Sequence, residues 1–198
     1  VERVVNIIGL GASSKDIPDT GENWVLNVAY KKIIGKKIDK MFFMDDFSVI
    51  LSDDSTIKPT DYNITNLLKD NPDIEIISRD DDCVKSLEGE ALAKINAFPL
   101  NDAIELANGG YFTSTIAYTI CYAILQKVDR IRLYGFEIWS GSDANEYEYQ
   151  RPCVDFWLAF AISRGIKVEV PYLLLHNVIN NQNYYGYIKN DLKQNYRR

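Results

Sequence analysis

The stretch RVVNIIGLGASSKDIP, residues 3 to 18, decides the fold. Arg3 to Gly9 is a short, β-branched, almost continuously apolar run closed by glycine. Without the alternation of a half-exposed strand, it suits a strand buried on both faces of a parallel sheet. The glycines, serines and proline of residues 9 to 18 then turn the chain. Beyond the turn, apolar residues in Asn23 to Tyr30 recur at helical spacing and predict a helix or helix-like turn.

The same alternation of strand and helix continues along the chain. Asp39 to Met44 reads as the second strand and Ile74 to Ile77, opened by Asn71-Pro72, as the third. Asp129 to Tyr134, ending at Gly135, is a further strand, and Ile166 to Val170, stopped by Pro171, is the last. Short helices are expected over Thr65 to Leu68 and Asp102 to Ala107. A long helix over Thr113 to Gln126 carries the apolar stripe Ile116, Ala117, Ile120, Ala123 and Ile124, with Thr113 or Ser114 available as its cap. A second long helix should begin with Pro152 in its first turn and end at Gly165. Strands alternating with helices give an α/β class: a single-domain, Rossmann-like three-layer sandwich with a mostly parallel sheet. All 198 residues form one domain on this reading, with 171–198 a C-terminal extension.

Composition narrows the function classes. A net charge of −6, with acids gathered at Asp45-Asp46, Asp53-Asp54 and Asp80-Asp81-Asp82, disfavours non-specific nucleic-acid binding. The cysteines Cys83, Cys121 and Cys153 have neither CxxC pairing nor zinc-ligand spacing, so they read as reduced, structural thiols. No basic leader precedes an apolar segment, and no apolar run approaches the ~18 residues that span a bilayer. A cytoplasmic protein without membrane association is expected. Tyr184, Tyr185, Gly186 and Tyr187 near the C-terminus suit either a homo-oligomer contact or packing on their own domain.

Parallel α/β sheets bind ligands outside the C-terminal ends of their strands, and the candidate site residues lie there. Gly9, Gly11 and Ser13 combine backbone amides that an anion can approach with a serine hydroxyl, the elements of a phosphate cradle, although such turns also serve as plain strand-to-helix connections. The third glycine of the dinucleotide fingerprint is replaced by Ser14, and no GK[ST] follows. Thr113 and Ser114 head the long helix, where hydroxyls and unpaired amides suit phosphate as well as simple capping. Gly135 and Glu137 end a strand, and Glu146, Tyr147, Glu148, Tyr149 and Arg151 follow. Carboxylates, tyrosines and an arginine there can hold a ribose, stack a base and neutralise phosphate, or form an ordinary polar loop. Glu146 and Glu148 are candidate general bases, Arg151 a candidate for leaving-group charge, and Asp45 and Asp46 candidate Mg2+ ligands, the usual companion of phosphates. His176, the single histidine, has no nucleophile motif beside it and reads as a rim residue.

The order GxGxS after the first strand, Asn27-x-x-Tyr30, Thr113-Ser114 heading a helix, then IRLYGFE (131 to 137) resembles the bacterial sialyltransferases that use CMP-sialic acid. It is also similar to MptE-like Rossmann proteins, which transfer pyrophosphate to a pterin alcohol, and YFTSTIAY and EYEYQRPC look like segments of small phage proteins of this type. The sialyltransferase resemblance implies nucleotide contacts from Gly11, Ser13, Asn27, Thr113, Ser114 and Glu137. Two positions depart from that family: Glu137 stands where it usually carries Asp, and its catalytic histidine, which precedes the last strand, has no counterpart. The resemblance implies a transferase moving a glycosyl or pyrophosphoryl group from a nucleotide or nucleotide-sugar donor. The alternative is a non-catalytic module that binds or sequesters a nucleotide.

Overall fold

The computed structural model describes residues 1–44, 71–79, 95–136 and 144–170. Seven strands form one sheet: β1 Val4–Ile8, β2 Glu22–Leu26, β3 Lys40–Phe43, β4 Glu75–Ser78, β5 Ile95–Ala97, β6 Arg130–Tyr134 and β7 Lys167–Glu169. Their order is β5-β4-β3-β2-β1-β6-β7, and every neighbouring pair is parallel. Three helices complete the described fold: α1 Leu100–Ala107, α2 Thr115–Leu125 and α3 Ala144–Ser163.

Successive side chains of a strand point to opposite faces, and the core divides accordingly. Val5, Ile7, Trp24, Leu26, Phe42 and Ile77 belong to one apolar cluster with α1, α2 and α3. Ile8, Val25, Met41, Phe43 and Ile76 face the other way and pack with Ile17, Ala29 and Ile33, which lie in or beside two short 3-10 segments, Ala12–Asp16 and Asn27–Lys32. Asn6, the polar residue inside the opening apolar run, is fully buried, and its Nδ2 donates to Thr20 O at 2.9 Å and Asn23 Oδ1 at 3.0 Å. At the strands' N-terminal edge Arg3 pairs with Glu22 at 2.7 Å, and Lys40 pairs with Glu75.

Three sequence expectations are corrected. Residues 23 to 26 belong to β2, not to a helix, because Trp24 and Val25 are buried on opposite faces and continue the sheet beside β1. β5 was not foreseen. The second long helix starts at Ala144, so Pro152 lies inside it. Lacking an N–H, Pro152 cannot donate to the carbonyl one turn back, at Glu148. The helix expected at Thr65 to Leu68, and Cys83, lie outside the described residues. Cys121 and Cys153 are free and buried, as read from the sequence; burial pushes the Cys121 thiol up to about 12. Among the described residues no helix is long and apolar enough to cross a membrane.

Candidate functional site

The chain leaves β1 toward β2 on one side and leaves β6 toward β7 on the other, so the strand order reverses between β1 and β6. In open parallel sheets a crevice at such a point, beyond the C-terminal strand ends, is where ligands bind. Helix α2 runs back to the start of β6 through Gln126 to Asp129, which brings its own N-terminus to this same edge. The bend after β1 and the head of α2 thus share one edge of the sheet.

At the switch the backbones of the two loops touch. Gly9 N–H donates to Tyr134 O at 2.8 Å and Gly11 N–H to Gly135 O at 2.9 Å, while Gly135 N–H donates to Ser13 Oγ at 2.7 Å. A Cβ on Gly9 would stand 2.5 Å from Gly135 O and 2.6 Å from the Phe136 ring; one on Gly135, where φ is +77°, would stand 2.5 Å from Gly9 O. The glycines therefore permit a backbone-to-backbone clasp between the ends of β1 and β6, to which the Gly9 and Gly11 amides are committed, while the Gly135 amide is taken up by the Ser13 hydroxyl. Asn27 follows β2 directly in the left-handed conformation, φ +48°, which asparagine tolerates better than most residues.

Ser114 is the N-cap of α2 by backbone geometry, its carbonyl accepting from Ala117 N–H at 3.0 Å. Its side chain makes no capping bond; Ser114 Oγ is buried and has no hydrogen-bond partner among the described residues. The preceding loop is held firmly. Tyr111 O accepts from Trp157 Nε1 at 2.7 Å and from Cys153 Sγ at 3.1 Å, and Phe112 stacks on Tyr118 at 4.3 Å and Trp157 at 4.9 Å. A fixed helix head, its first amides without intrahelical partners, is an electropositive point at the sheet edge.

The remaining candidates distribute differently. Glu146 and Glu148 lie in the first turns of α3. Arg151 stands 3.9 Å from Asp155, one helical turn on; burial raises the Asp155 carboxyl above its ordinary value, with Arg151 drawing it part of the way back. Glu137, Asp45, Asp46 and His176 lie outside the described residues. Among those described, no group of three or more His, Cys, Asp or Glu side chains is placed to hold a metal. A groove lined by Val1, Glu2, Asp129, Gly165 and Lys167 sits at the opposite, N-terminal edge, and its charges are engaged: Lys167 bonds Glu2 at 3.0 Å, and Asp129 accepts from Arg3 N–H at 2.6 Å. Arg79 follows β4 at the C-terminal edge and Tyr118 lies in α2; sequence reasoning singled out neither, since no local pattern marks them.

No known protein family and no curated protein matches the chain. Solved structures do match in fold. The α-2,3/8-sialyltransferase CstII, in a mutant form, is similar at 15% identity with a TM-score of 0.53, over 90% of this chain and 84% of that one. CstII from Campylobacter jejuni with the substrate analogue CMP-3FNeuAc gives 15% identity and a TM-score of 0.52, over 87% of this chain and 80% of that one. The same enzyme with cytidine-5'-monophosphate gives 14% identity and a TM-score of 0.54, over 90% and 83%. This chain therefore has an α/β fold similar to that of a sialyltransferase solved with CMP and a CMP-sugar analogue.

Proposed function

We propose that this protein binds a nucleotide sugar and transfers a group from it, with the donor's phosphate at the head of α2. The observation that carries this reading is Ser114 Oγ, a buried hydroxyl with no partner among the described residues, at the electropositive start of a helix that reaches the sheet's C-terminal edge. A buried polar group left without a bond costs about 1–3 kcal/mol, a cost that a phosphate oxygen would remove. The bend at Gly9, Gly11 and Ser13, together with Asn27, Gly135 and Glu137, would flank the nucleoside, and Thr113 would add a hydroxyl beside the phosphate. Glu146 or Glu148 would take the acceptor's proton, and Arg151 would meet leaving-group charge if it exchanges Asp155 for the phosphate. The fold likeness to CstII supports cytidine nucleotides as the first ligands to try.

The test is calorimetric titration of CMP into the wild-type chain and Ser114→Ala. A serine that capped its helix would lose about 1 kcal/mol of stability on truncation; here removal of an unpartnered buried hydroxyl should raise the melting temperature of the free protein, while CMP affinity falls about tenfold, equivalent to about 1.4 kcal/mol. No CMP binding by the wild type would sink the reading. The absence of histidine between β6 and β7 favours a second reading, a binding module without turnover. CMP binding with no consumption of labelled CMP-sugar donors, across a panel of acceptors, would select it.

A further inference from the structure

Apolar side chains of α1, of the loop before α2 and of α3 meet at the molecular surface. Leu100 and Ile104 stand one turn apart on α1 and are 45% and 40% exposed; Tyr111 in the loop and Phe156 on α3 are each 40% exposed. They are contiguous. A Cβ on Gly110 would lie 3.6 Å from Ile104 Cγ1, Tyr111 is the next residue, and its ring is 5.8 Å from that of Phe156. Phe156 in turn stacks on half-buried Phe160 at 6.2 Å. Arg164 closes the circuit: its guanidinium lies over the Phe160 ring at 4.8 Å and donates to Leu106 O at 3.2 Å, which leads from α3 back to α1. Between the helices Gly109 and Gly110 present bare backbone, with nothing within 4 Å of where a Gly109 Cβ would stand, so a partner's side chains have room to approach.

Exposed apolar residues scattered singly need no explanation, but a continuous patch marks an interaction surface. Four side chains of this size, each two-fifths or more exposed, leave about 300 Å2 of apolar surface in water, taking roughly 200 Å2 for a large side chain. Two copies that set this face against itself remove about 600 Å2 from water, close to the apolar share, about 700 Å2, of the smallest stable interfaces. Half-buried Phe160 and Leu106 add to it. Charge also favours a second copy as the occupant. The chain carries a net charge of −6, so like charges oppose most approaches of two copies. Among the described residues the charged side chain touching this face is Arg164, already engaged with Leu106 O and Phe160; Asp102 and Glu105 lie about 100° or more around α1 from the flank of Leu100 and Ile104. We propose that this face of α1 and α3 joins two copies of the chain in an isologous contact, each offering the same patch, with Ile104, Tyr111 and Phe156 at its centre.

The experiment is equilibrium sedimentation of the full chain across a wide range of concentration, as wild type, Ile104→Glu, Phe156→Glu and, as a control outside the patch, Ile34→Glu, where Ile34 is 89% exposed in the turn before β3. Wild type should reach at least twice the 22.7 kDa of the single chain. Each patch variant should weaken association about a hundredfold, as expected for central apolar anchors, and Ile34→Glu should associate as wild type does. The melting temperature should rise with concentration for wild type and stay constant for the patch variants. Phe156 also packs against Trp157, so Ile104→Glu, on a different helix, carries the test should Phe156→Glu fail to fold. A wild type that remains a single chain at every concentration would overturn the proposal and leave the patch to a different protein. Association that survives both patch variants would overturn it by placing the contact elsewhere, and equal loss in Ile34→Glu would overturn it by showing that any added charge suffices.

Discussion

Gly9 and Gly135 show how a glycine justified by one function in the sequence can serve another in the structure. Residues 9 to 14 read as a phosphate cradle, yet the amides of Gly9, Gly11 and Gly135 donate within the protein, and the missing Cβ atoms let two loop backbones meet. Gly135→Ala combines a clash with backbone and a positive φ, and should cost about 3 kcal/mol. Thermal denaturation should register this as a fall of roughly 6–12 °C for a chain of this size. A change under 2 °C would mean that the clasp yields easily. That Ser114 heads α2 was legible from its residue type; that its hydroxyl has no partner among the described residues was not, because the loop before it is fixed by Cys153 and Trp157, 39 and 43 residues later in the sequence.

At the scale of elements, β1, β3 and β4 were legible as compact, largely apolar runs between turn residues, and β6 and β7 as runs that alternate charged with apolar residues and end near Gly135 and Pro171. β2 was misread because Trp24, Val25, Leu26, Val28 and Ala29 give apolar residues at every spacing, and only pairing with β1 and β3 decides between strand and helix. β5 escaped notice because only Ile95 of its three residues is apolar and even partly covered. In α3 the helix-starting preference of proline outweighed the acidic residues before it, although Pro152 lies inside the helix. Asp155 supplies the prediction at this scale. Burial raises its carboxyl, Arg151 offsets part of that, and Oδ1 has no hydrogen-bond partner among the described residues. A raised folded-state value favours folding below the ordinary carboxylate range and loses that contribution as pH climbs through the raised value. Asp155→Asn should therefore melt higher than wild type at pH 7, with the gap closing as pH falls below about 4. A gap independent of pH would mean that ionisation of Asp155 is not its cause.

Across the whole molecule, the edge opposite the proposed site is fastened by charge. In Glu22 burial pulls the carboxyl up, but hydrogen bonds from Arg3 and Trp24 together outweigh it and leave the group below its ordinary value of 4.5. Hydrogen bonds from Lys167 and Arg130 lower Glu2, and Lys36 lowers Asp19. Depressed carboxylates support the fold above their unfolded values, and that support disappears as pH drops through the folded ones. Stability should thus decline on acidification below about pH 4.5, and Glu22→Gln should flatten that decline. An unaltered acid profile in the variant would assign the decline to other groups.

The packing around Tyr111 has an optical consequence. Trp157 is fully buried, stacks on Phe112, and holds the loop whose last residue is Ser114. Its indole is therefore a built-in fluorophore wired to the head of α2. With Trp139 replaced by phenylalanine, Trp24 remains as a second emitter inside the sheet, and a shift in emission colour as ligand is added would report occupancy of the site through Trp157 without any label.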